Sequence, residues 1–160
     1  MTSVLTRRKF VQLSVASVAL FSAGGRAATW FAPSLTYPSI KAGNVAKIEV
    51  GKPAYFNYPD NRAQAVLVKL GKPALGGVGK DRDLVAFSAS CTHMGCGVQY
   101  KGERFVCPCH QSMFDPAKSG QVYQGLASEW LPQIPLRVQP NGDVVATAVE
   151  GLIWGRVKNV

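Results

Sequence analysis

Outside residues 91–110 this 160-residue sequence contains no cysteine and no histidine. Four cysteines (Cys91, Cys96, Cys107, Cys109) and two histidines (His93, His110) all fall within CTHMGCGVQYKGERFVCPCH. A basic block is missing too. The formal net charge is +9, but Arg7, Arg8, Lys9 and Arg26 lie in the first 27 residues, which hold no acid. Of 18 basic residues that leaves 14, scattered among 9 acidic ones. A stripe able to track phosphates is therefore absent, and nucleic acid is excluded as a partner. Past the N-terminus no apolar pattern has helical period, and no segment repeats. Gly76-Gly77-Val78-Gly79 lacks the Lys-Ser/Thr of a phosphate loop and precedes no helix pattern, so it reads as a plain loop.

What remains is globular in composition, with 47% hydrophobic and 17% charged residues. The length fits one domain, or one domain plus a tail. Sixteen glycines and ten prolines predict many turns. Between them lie short stretches that read as β: Val45–Val50, which partly alternates, the apolar run Ala65–Leu70, then Leu84–Ser88 and Glu103–Val106. The last two lead directly into Cys91 and Cys107. Leu136–Gln139 and Val144–Val149 flank Pro140-Asn141-Gly142-Asp143, and the Asn-Gly pair predicts a hairpin there. Regularly spaced short strands predict an all-β fold, an antiparallel β-sandwich or barrel.

The N-terminus reads as an address. Thr6-Arg7-Arg8-Lys9-Phe10-Val11-Gln12 precedes a soft apolar run to Ala23, then Gly24-Gly25, and Ala27-Ala28 offers a small-residue cleavage site. The adjacent arginines resemble a twin-arginine export signal, with Val11 and Gln12 in place of the usual leucine and lysine. Residues 1–27 are thus a signal or, if retained, a membrane anchor; residues 28–160 are the functional domain. The apolar run is shorter than the roughly 20 residues that span a bilayer.

Six soft or borderline ligands in one span admit three readings. Two disulfides with bystander histidines are one. A Cys2His2 zinc site is another, although such sites usually group like with like, whereas here each half mixes the two in Cys91-x-His93 and Cys107-x-x-His110. The third reading uses all six. Cys91-Thr92-His93-Met94-Gly95-Cys96 and Cys107-Pro108-Cys109-His110-Gln111-Ser112 resemble the two cluster loops of Rieske proteins, whose [2Fe–2S] centre has two histidines in place of two cysteines on one iron. The resemblance implies a Rieske-type fold with a small cluster-binding subdomain at about 88–132. It implies that Cys91 and Cys107 hold the inner iron, that His93 and His110 hold the outer one, and that a Cys96–Cys109 disulfide ties the loops. Gly125–Pro132 resembles a third loop that covers the cluster.

Charge explains the mixed ligand set. Two ferric ions and two sulfides carry +2; four thiolates would make the oxidised centre −2, whereas two thiolates and two neutral imidazoles make it neutral. An electron enters a neutral centre more easily than a dianion, so the potential rises. Ser112 matches the family serine that donates to a bridging sulfide, which stabilises the reduced state. Phe114 stands where respiratory Rieske proteins usually carry a tyrosine that donates to a cysteine sulfur, which implies a lower potential here.

The flanking text is similar to the small subunit of arsenite oxidase. The similarity runs through Leu67–Gly79, Leu84–Ser88, Ser112-Met113-Phe114-Asp115-Pro116, Gly125-Leu126-Ala127, Leu131–Leu136 and Gly151–Arg156. This resemblance implies a periplasmic electron-transfer subunit beside a molybdopterin-containing large subunit with a [3Fe–4S] cluster. Its electron acceptor would be cytochrome c or a cupredoxin. The chain would then be the non-substrate-binding part of an oxidoreductase with no catalytic site of its own, since both histidines are ligands and no Ser/His/Asp set can form. The alternatives are the Rieske subunit of a quinol-oxidising cytochrome bc complex and a free-standing Rieske carrier.

Overall fold

The computed structural model describes residues 36–160. The segment 1–27, read as signal or anchor, lies outside the described residues. Among these residues ten strands form three antiparallel sheets. The first joins β1 (Ile40–Asn44), β10 (Asp143–Ala146) and β9 (Leu136–Val138). The second joins β2 (Ala54–Asn57), β3 (Gln64–Lys69) and β4 (Leu84–Ser88). The third is β5 (Gln99–Lys101), β6 (Arg104–Val106), β7 (Met113–Asp115) and β8 (Gln121–Gln124). The only helical pieces among the described residues are single 3-10 turns at Val45–Lys47 and Pro116–Lys118, and no helix there is long and apolar enough to cross a membrane. The fold is all-β, as the turn spacing predicts.

β3 and β4 explain their own apolar runs. Side chains alternate across a strand, and both faces of this pair are covered. Val66, Val68, Val85 and Phe87 enter one core with Phe105, Phe114 and Leu131. Ala65, Leu67, Leu84 and Ala86 enter a second core with Ile134, Leu136, Val144 and Ile153. The pairing Val66↔Phe87 and Leu67↔Ala86 keeps each face consistent across the two strands. A strand buried on both sides cannot carry polar alternation, so its sequence is a continuous apolar run. The first core reaches Cys91 and Cys107, which places both thiols at its edge.

Two predicted elements differ. Val45–Val50 is not a strand: Asn44 accepts a hydrogen bond from the Ala46 amide at 3.1 Å and starts a 3-10 turn instead. The chain extends before it, in β1, where the alternation is weaker. The predicted hairpin does form, but its loop has three residues. Gly142 N–H donates to the Gln139 carbonyl at 2.9 Å, and Gly142 has φ +82°. Pro140 pre-sets the first corner of this turn and Gly142 supplies the left-handed residue that follows it. The second strand then stops at Ala146, three residues before Val149.

Candidate metal centre

Two loops of six residues carry all the cysteines and histidines. The first, 91–96, follows β4 and is pinched at its base by the Ser90–Gly97 bridge. The second, 107–112, is the end of the β6–β7 hairpin. Both are closed by the same pair of backbone bonds. Cys91 N–H donates to the Cys96 carbonyl and Gly95 N–H to the Cys91 carbonyl, each at 2.8 Å. In the second loop Cys107 N–H donates to the Ser112 carbonyl at 2.8 Å and Gln111 N–H to the Cys107 carbonyl at 3.0 Å. The fifth residue of each is left-handed, Gly95 at φ +74° and Gln111 at +56°. No repeat is visible in the sequence because the histidine is third in one loop and fourth in the other.

Cys96 and Cys109 form a disulfide between the loops, with Cα atoms 6.5 Å apart. Cys91 and Cys107 remain free thiols, both buried. The sulfurs of Cys96, Cys107 and Cys109 lie within 4.8 Å of one another. This trio is not a metal site, since two of its members are already bonded together; it shows that the Cys107 thiol sits beside the bridge. Burial pushes the Cys91 thiol pKa up; backbone N–H groups of His93 and Met94 act against this, and the adjacent Cys107 thiol adds to the rise. His93 and His110 bring their rings to 4.8 Å, nearly perpendicular at 81°. His93 is half-buried and His110 exposed, so the sulfurs face inward and the imidazoles outward.

These donors fit a two-iron centre of mixed ligation. His93 Nδ1 is buried and has no hydrogen-bond partner among the described residues. A ring nitrogen left so costs roughly 1–3 kcal/mol unless something binds it. Two free thiols at the edge of a core add soft ligands of the type that select iron–sulfur clusters. Ser112 Oγ is wholly buried and accepts from the Leu126 and Ala127 amides, each at 3.1 Å. Its own hydrogen has no protein acceptor among the described residues, which leaves it free to donate to a cluster sulfur. Phe114 is fully buried opposite Phe105.

The Gly125–Pro132 segment packs on both loops. Besides the two bonds to Ser112, Thr92 Oγ1 donates to the Glu129 carbonyl at 2.7 Å. Gly125 has φ +94°, and a Cβ there would lie 2.3 Å from Ser112 Cα. This close approach is invisible in the sequence, where Gly125 reads as a turn residue.

Sequence reasoning also missed the C-terminal strap, residues 151–160. Its Trp154 indole lies against Gly95 and donates Nε1–H to the His93 carbonyl at 3.2 Å. Arg156 anchors the strap with a two-pronged bond to Asp60, at 2.6 and 3.0 Å. The Arg156 hydrogen bond, helped by the Arg62 amide, lowers the Asp60 carboxyl from its ordinary 3.8 to about 2. A lowered folded-state pKa contributes stability that is complete above the ordinary value and is lost as pH falls through the folded one. Protection of the 151–160 amides, taken relative to their intrinsic exchange rates, should therefore be full above about pH 4 and fall between about 4 and 2. Asp60→Asn should remove that acid step; an unchanged profile in the variant would assign it elsewhere.

The Rieske [2Fe-2S] domain family matches residues 40–135. The iodate reductase subunit IdrB of Denitromonas iodatirespirans is 41% identical over 161 residues, 97% of this chain and 86% of that protein. A cytochrome bc1 complex Rieske iron-sulfur subunit of Corynebacterium diphtheriae is 43% identical, but over 67 residues, 40% of this chain and 16% of that protein. The crystal structure of the soluble domain of Rieske protein II (soxF) from Sulfolobus acidocaldarius shares the fold. Its TM-score is 0.67 at 22% identity, over 76% of this chain and 82% of that one. Two capped loops, inward thiols, outward imidazoles and a match over most of the domain lead to one conclusion: the chain belongs to the Rieske family, and its cofactor is a Rieske-type [2Fe–2S] cluster.

Proposed function

We propose that this chain is the electron-transfer subunit of a molybdopterin-dependent oxidoreductase, exported to the periplasm by the twin-arginine route. Cys91 and Cys107 hold the inner iron, and His93 and His110 hold the outer one. The observation that carries the subunit reading is the 41% identity along 97% of the chain to a subunit of iodate reductase; the bc1 likeness extends over 40% of the chain only. When bound, the cluster supplies a one-electron couple in the range that Rieske centres occupy, higher than that of all-cysteine ferredoxins. The protein's own part is to keep water from the two sulfur ligands, to present the two imidazoles at the surface, and to donate the Ser112 hydroxyl. The extra-cytosolic assignment is supported by the Cys96–Cys109 bridge, since glutathione keeps most cytosolic thiols reduced.

Two substrates suit such a complex. Arsenite oxidation follows from the flanking text; this chain would then carry electrons singly out of the molybdopterin and [3Fe–4S] large subunit to a cytochrome c or a cupredoxin. Iodate reduction follows from the relatives, with electrons running the other way. Expression with the neighbouring reading frame, metal analysis for molybdenum and iron, and two dye assays distinguish them. Arsenite-dependent dye reduction supports the first. Iodate-dependent oxidation of a reduced dye supports the second. A complex without molybdenum, or one that co-purifies with cytochrome b, overturns both. Membrane association through an uncleaved N-terminus is tested in the same preparation by fractionation.

Phe114→Tyr should raise the reduction potential. The ring is fully buried, so a new hydroxyl must find an acceptor, and a cluster cysteine sulfur is the one expected. A net hydrogen bond of about 0.5–1.5 kcal/mol in favour of the reduced state corresponds to about 20–65 mV for one electron. A redox titration with no rise refutes the assignment of this position.

A further inference from the structure

We propose that Trp154 is a positioning residue for His93, delivered by the C-terminal strap as a clasp on the first cluster loop. The inference rests on the reading of His93 as an iron ligand. Two contacts on either side of Met94 carry it. On one side the indole Nε1–H is bonded to the His93 carbonyl. On the other, the six-membered ring lies so close to Gly95 that a Cβ there would be 2.3 Å from Cε3 and 2.6 Å from Cζ3. Only glycine, here at φ +74°, lets the indole in. The backbone of the His93 peptide is thereby held at both ends of a three-residue segment. Since Cα sets where an imidazole can point, the clasp fixes the aim of the ring whose Nδ1 lacks a hydrogen-bond partner among the described residues.

The strap is built to hold that indole still. Ile153 is buried in the second core next to it in sequence. Asn159 is 6% exposed and accepts from the Ile153 amide, while its Nδ2 donates to the Gly151 carbonyl and to Tyr37 Oη. Arg156 adds its pair with Asp60 and a bond to the Asn159 carbonyl. Groups that orient a metal-bound histidine typically change metal retention ten- to a hundredfold when removed.

The test uses the full chain loaded with its cluster. Trp154→Ala, Trp154→Phe and the control Val157→Ala, at a side chain 98% exposed, are compared for bleaching of the visible spectrum under a chelator. Histidine nitrogen couplings in the reduced state are measured by pulsed paramagnetic resonance, and midpoint potentials by titration. Trp154→Ala is expected to bleach about ten- to a hundredfold faster and to alter the couplings of one histidine but not the other. Trp154→Phe keeps a ring over Gly95 and loses the hydrogen bond, so a smaller change of the same histidine's coupling is expected. It remains informative if the alanine variant fails to fold. Val157→Ala should match the wild type. Wild-type bleaching, couplings and potential in both Trp154 variants would overturn the clasp. A wild-type chain that takes up a cluster without nitrogen couplings, or takes up none, would instead overturn the ligand assignment, and the clasp with it.

Discussion

Replacing Cys91 or Cys107 by serine should lower bound iron from about two per chain to near zero. Both thiols are buried and free, and the sulfurs nearest Cys107, those of Cys96 and Cys109, are bonded to each other, so no free thiol among the described residues can replace either one. A serine hydroxyl nearly matches the shape but holds its proton at neutral pH and is a hard ligand where a soft one is needed. Burial already disfavours ionisation of Cys91, so the metal itself must draw off the proton, which a thiol permits far more readily than an alcohol. Cys96→Ser is the contrasting case. Its sulfur is bonded to Cys109, so the variant should still take up iron but release it faster, with the two loops untied. Iron and acid-labile sulfide per chain, together with the low-temperature spectrum after dithionite, measure both. Full iron in Cys107→Ser would end the ligand assignment.

Gly125→Ala should destabilise the domain by about 2–5 kcal/mol. The estimate adds roughly 1–3 kcal/mol for overpacking and 1–2 for a left-handed non-glycine. The methyl would meet Ser112 Cα at 2.3 Å and Ser112 N and Oγ at 2.7 Å. These are backbone and near-backbone atoms, and Ser112 is itself pinned through its carbonyl to Cys107 N–H. The loop, not Ser112, has to move. Moving it frees the Leu126 and Ala127 amides from the hydroxyl and uncovers the space beside the second loop. Gly97→Ala is the matched control: nothing lies within 4 Å of its Cβ and its φ is not left-handed, so a change within about 0.5 kcal/mol is expected. Urea unfolding compares the two, and equal midpoints would contradict the close approach.

These two sites differ in how far the sequence announces them. The cysteines and histidines are rare types confined to twenty residues, and their chemistry narrows the cofactor before any fold is known. Gly125 is one of sixteen glycines, and nothing in its neighbours says that a serine thirteen residues earlier will lie against it. Ser112 shows both conditions at once. Its place two residues after His110 matches the serine that Rieske proteins use as a donor toward sulfur, but its acceptance of two amides from the third loop is a tertiary fact. The consequence is practical: Ser112→Ala would remove a donor and leave the buried Ala127 amide and the part-buried Leu126 amide without their acceptor, so a lowered potential in that variant would have two causes.

Local pattern was most reliable where burial was extreme. β4 is five residues, Leu84–Ser88, all buried, and the apolar run marks its limits. It was least reliable at Val45–Val50, where alternation suggested a strand and one side-chain cap produced a turn. A capping hydrogen bond of about 1 kcal/mol outweighs a weak period over six residues.

What the sequence alone determined is chemical: four cysteines and two histidines gathered on two short loops in a pattern that resembles a Rieske centre, and strands dense enough in apolar residues to form cores. These are properties of residue type and short spacing, and they survive without coordinates. What only the tertiary structure decided is relational: that β3 and β4 separate two cores, that the loop after β8 closes on Ser112, and that the last ten residues return to lay Trp154 on Gly95. Such contacts join positions far apart in the chain, and their energies come from shape and close approach, which no local window of the sequence contains.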